Sequence, residues 1–373
     1  MPRYIGADVA HAIGTHRLRI YLDHAATTPM TPPAREAVAD AMARWANPSS
    51  PHAEGRAARA ALERARGAIA DAYGWPGDVL LTSGASESLS IALGRSTPAR
   101  RLVLAVEHDS VIRAAPHAPR LPVDANGVTD ADTLAAALTG GESALVAVQW
   151  ANSETGVIQP VAALASVIHA AGGLLLLDAA QMPAGADREA IAAADFVALS
   201  AHKHGGPPGV GALLVRDLAT LIPTGGQERG YRPGTENQPA VAGYAAALRE
   251  PDDLPGLAEL RRLLDDAVQR SGGEVVAASA RRHPAIGSYR MPGTASAAQL
   301  IRFDLAGFAV SAGSACASGS MKPSHVLAAM GWSDAASREV VRVSFGRTTT
   351  RAEVEAFIVA WRDVARTARR IAA

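Results

Sequence analysis

Six short β-type runs alternate with helical stretches along this chain: Val79–Thr82, Leu102–Val106, Ala144–Gln149, Leu174–Leu177, Phe196–Ser200 and Gly211–Val215. Near-continuous apolar runs of this kind read as strands buried on both faces, and helices must then cover both sides of a mostly parallel sheet. The fold class expected is α/β. Ala-rich amphipathic helices are expected at Arg35–Trp45 and His52–Tyr73. Pro251-Asp-Asp-Leu-Pro255 reads as a boundary. After it come a helix (Gly256–Gln269), strands around Ala285–Arg290 and Val340–Phe345, and a final helix (Arg351–Ile371). A chain of 373 residues exceeds one ordinary core. The expected organisation is therefore an arm or over-extended start at 1–19, a large domain at 20–250 and a smaller α+β domain at 251–373.

Composition removes several classes. The formal net charge is zero, which argues against a nucleic-acid binder held by a basic face. No apolar run approaches the ~20 residues of a membrane span, the longest being Gly173-Leu-Leu-Leu-Leu-Asp178. Residues 1–19 lack the charged start and apolar core of a signal peptide, so a cytoplasmic protein is expected. A single cysteine forms no internal disulfide and no cysteine-pair metal cage.

That cysteine and one of only two lysines sit in segments suited to chemistry. Cys316 lies in the small-residue loop Ser311-Ala-Gly-Ser-Ala-Cys-Ala-Ser-Gly-Ser320, where a structural cysteine would have an apolar core around it. Lys203 ends Ser200-Ala-His-Lys203 and opens a glycine-rich turn through Gly211; the other lysine, Lys322, has no such setting. Arginine supplies positive charge elsewhere, yet only a desolvated lysine can lose its proton and attack a carbonyl. One amine and one thiol point to covalent catalysis.

Other candidates also follow strands. Thr82-Ser-Gly-Ala-Ser-Glu87 opens a helix, so the N–H groups of Ala85 and Ser86, with the Ser86 hydroxyl, would face an anion there; an ordinary side-chain cap from Ser83 or Ser86 fits as well. Asp178 ends a strand and reads equally as a partner for a protonated ring nitrogen or as a helix N-cap. His108, in Val106-Glu-His-Asp-Ser110, could stack on a ring and move protons, or be structural. Trp150-Ala-Asn-Ser-Glu-Thr-Gly156 offers polar groups or a plain turn. Gly225–Asn237 is too elaborate for a simple connector. Arg342, among apolar neighbours, needs an anion: a bound carboxylate or an internal salt bridge.

Taken in order, these segments resemble the cysteine desulfurases of the NifS/IscS type, class V aminotransferases that use pyridoxal 5'-phosphate on fold type I. The resemblance runs from Tyr21-Leu-Asp-His-Ala-Ala-Thr-Thr-Pro29 to Thr350 and includes Asn47-Pro-Ser-Ser50, Glu107-His108, Asp178-Ala-Ala-Gln181, Ser200–Lys203, Gly225–Asn237, Ser311–Cys316 and Arg342–Arg347. It implies that Lys203 carries the cofactor, Asp178 binds the pyridine nitrogen, Gln181 the ring hydroxyl and His108 the ring face. Ala85, Ser86, Ser200 and His202 would hold the phosphate, and Thr235 that of a neighbouring subunit, which implies a homodimer. Ser153 falls where a ring-contacting asparagine is usual. Asn152 and Arg342 would orient the substrate, L-cysteine.

Cys316 would take the sulfur as a persulfide for an acceptor protein, leaving L-alanine, with no resident metal beyond a transient iron–sulfur cluster on Cys316. His204 and Pro208 depart from the family's usual bulky apolar residue and lysine. Selenocysteine lyase, or another class V lyase or aminotransferase, is the neighbouring enzyme reading. A non-enzymatic sulfur-relay scaffold would be expected to have lost Lys203, Asp178 or Cys316, and all three are intact.

Overall fold

The computed structural model describes residues 19–313 and 323–372. Residues 1–18 of the arm expected at 1–19, together with Cys316 and Lys322, lie outside the described residues. Two helices come early in the described chain, after a short strand at Ile20–Tyr21. Helix α1 (Pro32–Ala43) begins earlier than its apolar pattern suggests: Thr31 caps it by accepting from Ala34 N, and Pro32 occupies a first turn where a missing N–H costs nothing. Helix α2 (Ala53–Tyr73) is capped by His52 and ended by Gly74 at φ 64°, the left-handed geometry that glycine adopts without strain.

The strands are β1 (Ile20–Tyr21), β2 (Asp78–Thr82), β3 (Arg100–Leu104), β4 (Arg120–Leu121), β5 (Ala144–Gln149), β6 (Leu174–Asp178), β7 (Phe196–Ser200), β8 (Gly211–Val215), β9 (Glu274–Val275), β10 (Ile286–Arg290), β11 (Phe308–Ala309) and β12 (Val340–Ser344). Among the described residues the main sheet has seven, ordered β2-β8-β7-β6-β5-β3-β4. The pairs β4/β3, β3/β5, β5/β6 and β6/β7 are parallel, whereas β8 runs antiparallel to both β7 and β2. This is the expected α/β fold with a mostly parallel sheet.

The period-two alternation of a strand splits each apolar run between two cores. Leu175 and Leu177 join the layer of Leu62, Ile69, Leu164 and Ile168, while Leu176 joins the layer of Leu89, Leu93, Val111 and Leu213. Each such leucine, fully buried, stabilises the fold by ~2 kcal/mol.

A second assembly follows. Strands β12, β10 and β9 form an antiparallel sheet, and the helices Leu254–Arg270 and Arg351–Ala372 cover it. Its core includes Leu264, Tyr289, Phe303, Phe357 and Trp361, with Phe303 stacked on Trp361 at 6.0 Å. Leu22 packs into this same core, and β1 pairs with β11, so the chain's first described strand belongs with its last third. Among the described residues no helix is long and apolar enough to cross a membrane.

Candidate active site

Parallel pairing in register sets the carboxyl ends of β5, β6 and β7 along one sheet edge, where Gln149 lies opposite Asp178. A cavity of about 440 Å³ opens there. At one end it meets helix α3 (Ala85–Arg95), whose N-cap is Gly84 at φ 145° with no side-chain cap. The side-chain cap expected as an alternative is absent, because the N-cap position falls on Gly84, which has no side chain; Glu87 accepts from Ser83 N. The first N–H groups of α3, from Ala85 and Ser86, therefore border the cavity with the positive end of the helix dipole. Ser200 and His202 line it beside them, the His202 Nδ1 lying 3.2 Å from Thr27 Oγ1. Close approach of backbone holds this corner: a Cβ on Gly211 would lie 2.6 Å from Gly84 Cα and 2.3 Å from Leu199 O.

Asp178 is 7% exposed and lines the cavity from the end of β6. No helix follows it; its Oδ1 accepts from Ala180 N at 3.0 Å and closes a turn, so the helix-cap alternative falls away. Lys203 ends the short helical turn after β7, and its Nζ donates to Ala25 O at 3.0 Å. Burial and then Arg342 draw this amine down to about 8, against the pull of Asp178 and Asp23. Roughly a tenth of it is then neutral at pH 7. Gln181 donates to the same Ala25 carbonyl at 2.9 Å.

His108 caps the short helix α4 (Asp109–Ala114), its Nδ1 accepting from Ser110 N at 3.2 Å. That assigns the ring proton to Nε2. Burial lowers its pKa below the ordinary histidine value; Asp178 opposes this and Lys203 adds to it.

Arg342 on β12 is 1% exposed and lines the same cavity. It donates to Asp23 Oδ1 at 2.7 Å and to the Ser153 carbonyl at 2.9 Å. The internal salt bridge foreseen as an alternative therefore exists, on a side chain that also faces the cavity.

Two expected residues stand apart. Asn152 does not line the cavity: its amide donates to Val106 O and Gln149 Oε1 and accepts from Glu154 N and Thr155 N. Every polar atom of that side chain is committed to the turn, which leaves Ser153 as the cavity residue of the pair. Thr235 is exposed and borders no part of this cavity.

The described chain on either side of residues 314–322 is tied to the site. Ser311 exchanges both backbone hydrogen bonds with Arg342. Ser324 donates to Glu154 at 2.5 Å, and His325 Nε2 lies 2.8 Å from Glu107 O.

The family profile described as aminotransferase class-V matches residues 20–357. The chain belongs to the class-V aminotransferases. Among the relatives of this class-V chain is an IscS-like cysteine desulfurase of Mycobacterium tuberculosis H37Rv, 37% identical, matching 90% of this chain and 93% of that protein. A cysteine desulfurase of Cereibacter sphaeroides is 36% identical over the same shares. A solved NifS-like protein from Rickettsia africae superposes with a TM-score of 0.82 at 28% identity, covering 93% of this chain and 99% of its own. DndA from Streptomyces lividans superposes at 0.70 with 31% identity, covering 87% and 99%.

Beside the class-V site lie two acids that carry no role in the sequence reading, although both fall inside its matching segments. Glu107 is fully buried; its Oε1 accepts from Gln149 N at 2.8 Å, and burial, reinforced by Asp178, raises its pKa well above the carboxylate range. Asp23, partner of Arg342, was quoted inside Tyr21–Pro29 without a role. Each acid directly follows an apolar residue and precedes a histidine, Val106-Glu-His108 and Leu22-Asp-His24, which was the available signal for both.

Proposed function

We propose that this class-V enzyme is a pyridoxal 5'-phosphate-dependent cysteine desulfurase, which takes sulfur from L-cysteine onto Cys316 and releases L-alanine. One observation carries the reading: a single cavity gathers an amine lowered to about 8, a buried carboxylate and an uncapped helix start. The cofactor has a handle for each. Its phosphate suits the N–H groups of Ala85 and Ser86 with Ser200 and His202, its ring nitrogen suits Asp178, its hydroxyl Gln181, and its aldehyde Lys203. The cavity's volume falls within the range that holds such ligands.

Bound there, the cofactor supplies an electron sink for charge developing at the substrate Cα. Lys203 in its neutral form takes the Cα proton, delivers a proton at Cβ and, before the product leaves, restores one at Cα, the second proton coming from solvent. His108, held neutral by burial and carrying its proton on Nε2, assists as a general acid, and the substrate's thiol proton stays on the outer sulfur of the persulfide. Arg342 orients the substrate carboxylate, which must share or displace Asp23. The Cys316 thiolate attacks the substrate sulfur, so that a sulfur–sulfur bond forms as the substrate's Cβ–S bond breaks. The electron pair of that bond stays with the carbon skeleton, which leaves as alanine, and the persulfide is the form handed to an acceptor protein. Thr235, exposed and away from its own cavity, suits a homodimer in which it serves the second copy.

The test uses two variants. Cys316→Ser should stop alanine and persulfide formation while the cofactor's absorbance persists; Lys203→Ala should lose the lysine-linked absorbance. Sulfide release at the wild-type rate by the serine variant would refute the reading.

A further inference from the structure

A second cavity, of about 40 Å³, shares Ala25, Gln181 and Lys203 with the first, so these residues form a wall between the two. Its remaining polar lining comes from His24, His204 and His283, from Thr28, whose hydroxyl donates to His24 O at 3.3 Å, and from the Asp252–Arg347 ion pair, closed at 2.7 Å. The histidines are 7%, 6% and 6% exposed. His283 Nδ1 accepts from Ala285 N, but His24 Nδ1 and His204 Nε2 have no hydrogen-bond partner in the protein. A buried polar atom left unpaired costs ~1–3 kcal/mol, and here two border one small cavity. Burial brings His204 to about 3 and His283 to about 4, so both rings are neutral. Among the described residues no cluster is arranged to hold a metal. The occupant that suits these walls is neutral, both donor and acceptor, and very small. The volume admits about three waters.

We propose that this cavity is an internal water site, in which water bonded to His204 Nε2 and His24 Nδ1 reaches the Lys203 amine and gives it a proton-exchange route to solvent past the Asp252–Arg347 pair. The outer end of that route is open enough, since the two side chains keep 17% and 18% exposure. His204 is then a positioning residue, acting on Lys203 through water.

The consequence rests on the proposed desulfurase reaction, in which Lys203 removes the Cα proton. A deuteron taken from Cα becomes one of three hydrogens on the Lys203 ammonium. It leaves to water as a solvent proton replaces it, with no net change of charge or atoms. The hydrogen returned to Cβ is then mostly from solvent.

The experiment runs the holoenzyme on L-cysteine deuterated at Cα and measures deuterium in the methyl group of alanine by mass spectrometry. The wild type should lose most of the label. His204→Leu removes the unpaired nitrogen and fills the space, and it should retain several-fold more. His204→Asn keeps a polar group and should stay near the wild type. Equal retention in all three overturns the proposal. Failure to make any alanine would instead strike the desulfurase reading, and the water site is then decided by a crystal structure of the enzyme without substrate. Ordered water within hydrogen-bonding distance of His204 Nε2 is expected there, and a dry or collapsed cavity overturns it. The same structure decides the case if the leucine variant does not fold.

Discussion

On the proposed reading, the two ends of the active-site cavity would bind charge by opposite means. At the anion end the donors are backbone N–H groups at the start of α3, fixed by helix geometry and by the approach of Gly211 to Gly84. Nothing there has to move to receive a ligand. At the carboxylate end the donor is the Arg342 side chain, already bonded to Asp23 and to the Ser153 carbonyl. A ligand must compete for it. The difference matches residence time: a phosphate that stays through many turnovers suits preset dipoles, whereas a carboxylate that arrives and leaves each cycle suits a charge whose resting partner can be exchanged.

The largest effect should come from the residue between these ends. A carboxylate and a protonated ring nitrogen ~3 Å apart interact by about 5 kcal/mol at an effective dielectric near 20. Asp178→Ala should therefore lower kcat by roughly 10³-fold or more, measured in single turnovers with cofactor saturating. A loss under about tenfold would mean that the electron sink works without this carboxylate, and the middle of the site would need another account.

The amine beside it makes the next test. With Lys203 lowered to about 8, the neutral fraction rises as pH rises and levels off above that value. The rate at which the cofactor-free enzyme recombines with pyridoxal 5'-phosphate should climb roughly 50-fold from pH 6 to pH 8 and then flatten. A rate still climbing at pH 10 would show an ordinary lysine, and the burial argument would be lost. At the carboxylate end, Arg342→Lys keeps a positive charge but loses the planar fork and its bond geometry to Asp23. It should raise KM for cysteine about tenfold while the cofactor's absorbance stays unchanged. An equal fall in cofactor retention would erase the contrast between the ends.

How legible all this is from the chain differs by element. Ala144–Gln149, Phe196–Ser200 and Gly211–Val215 keep their sequence-derived bounds because both faces of those strands are buried. The strand expected at Leu102–Val106 instead spans Arg100–Leu104. Arg100 and Arg101 enter the ladder by carrying their guanidinium groups away to the carbonyls of Ala137 and Leu93, as long side chains can. The antiparallel direction of β8 had a signal: the ten residues between Ser200 and Gly211 are too few for a crossover helix. Lys203 stood out because lysine is scarce here. The Arg342–Asp23 pair could not be read, since 319 residues separate its members and it is tertiary pairing, Asp23 bridging to Ser344 on β12, that brings the chain's start to the small sheet.

The smallest effect is the sharpest probe of the comparison. Ser86 is the second residue of α3, and its hydroxyl lines the anion end beside backbone N–H groups that a substitution leaves in place. Alanine is the better helix former, so Ser86→Ala should raise the melting temperature of the cofactor-free protein slightly, by the equivalent of ~0.5 kcal/mol. The same change deletes one hydroxyl donor to the phosphate, worth about 1 kcal/mol, so the dissociation constant for pyridoxal 5'-phosphate should rise about fivefold. Stability and affinity thus move in opposite directions, which a general loosening of the helix could not produce. An affinity loss near 100-fold would mean that side chains, not backbone dipoles, carry the phosphate. The anion end would then be built like the carboxylate end, from groups a single substitution can remove.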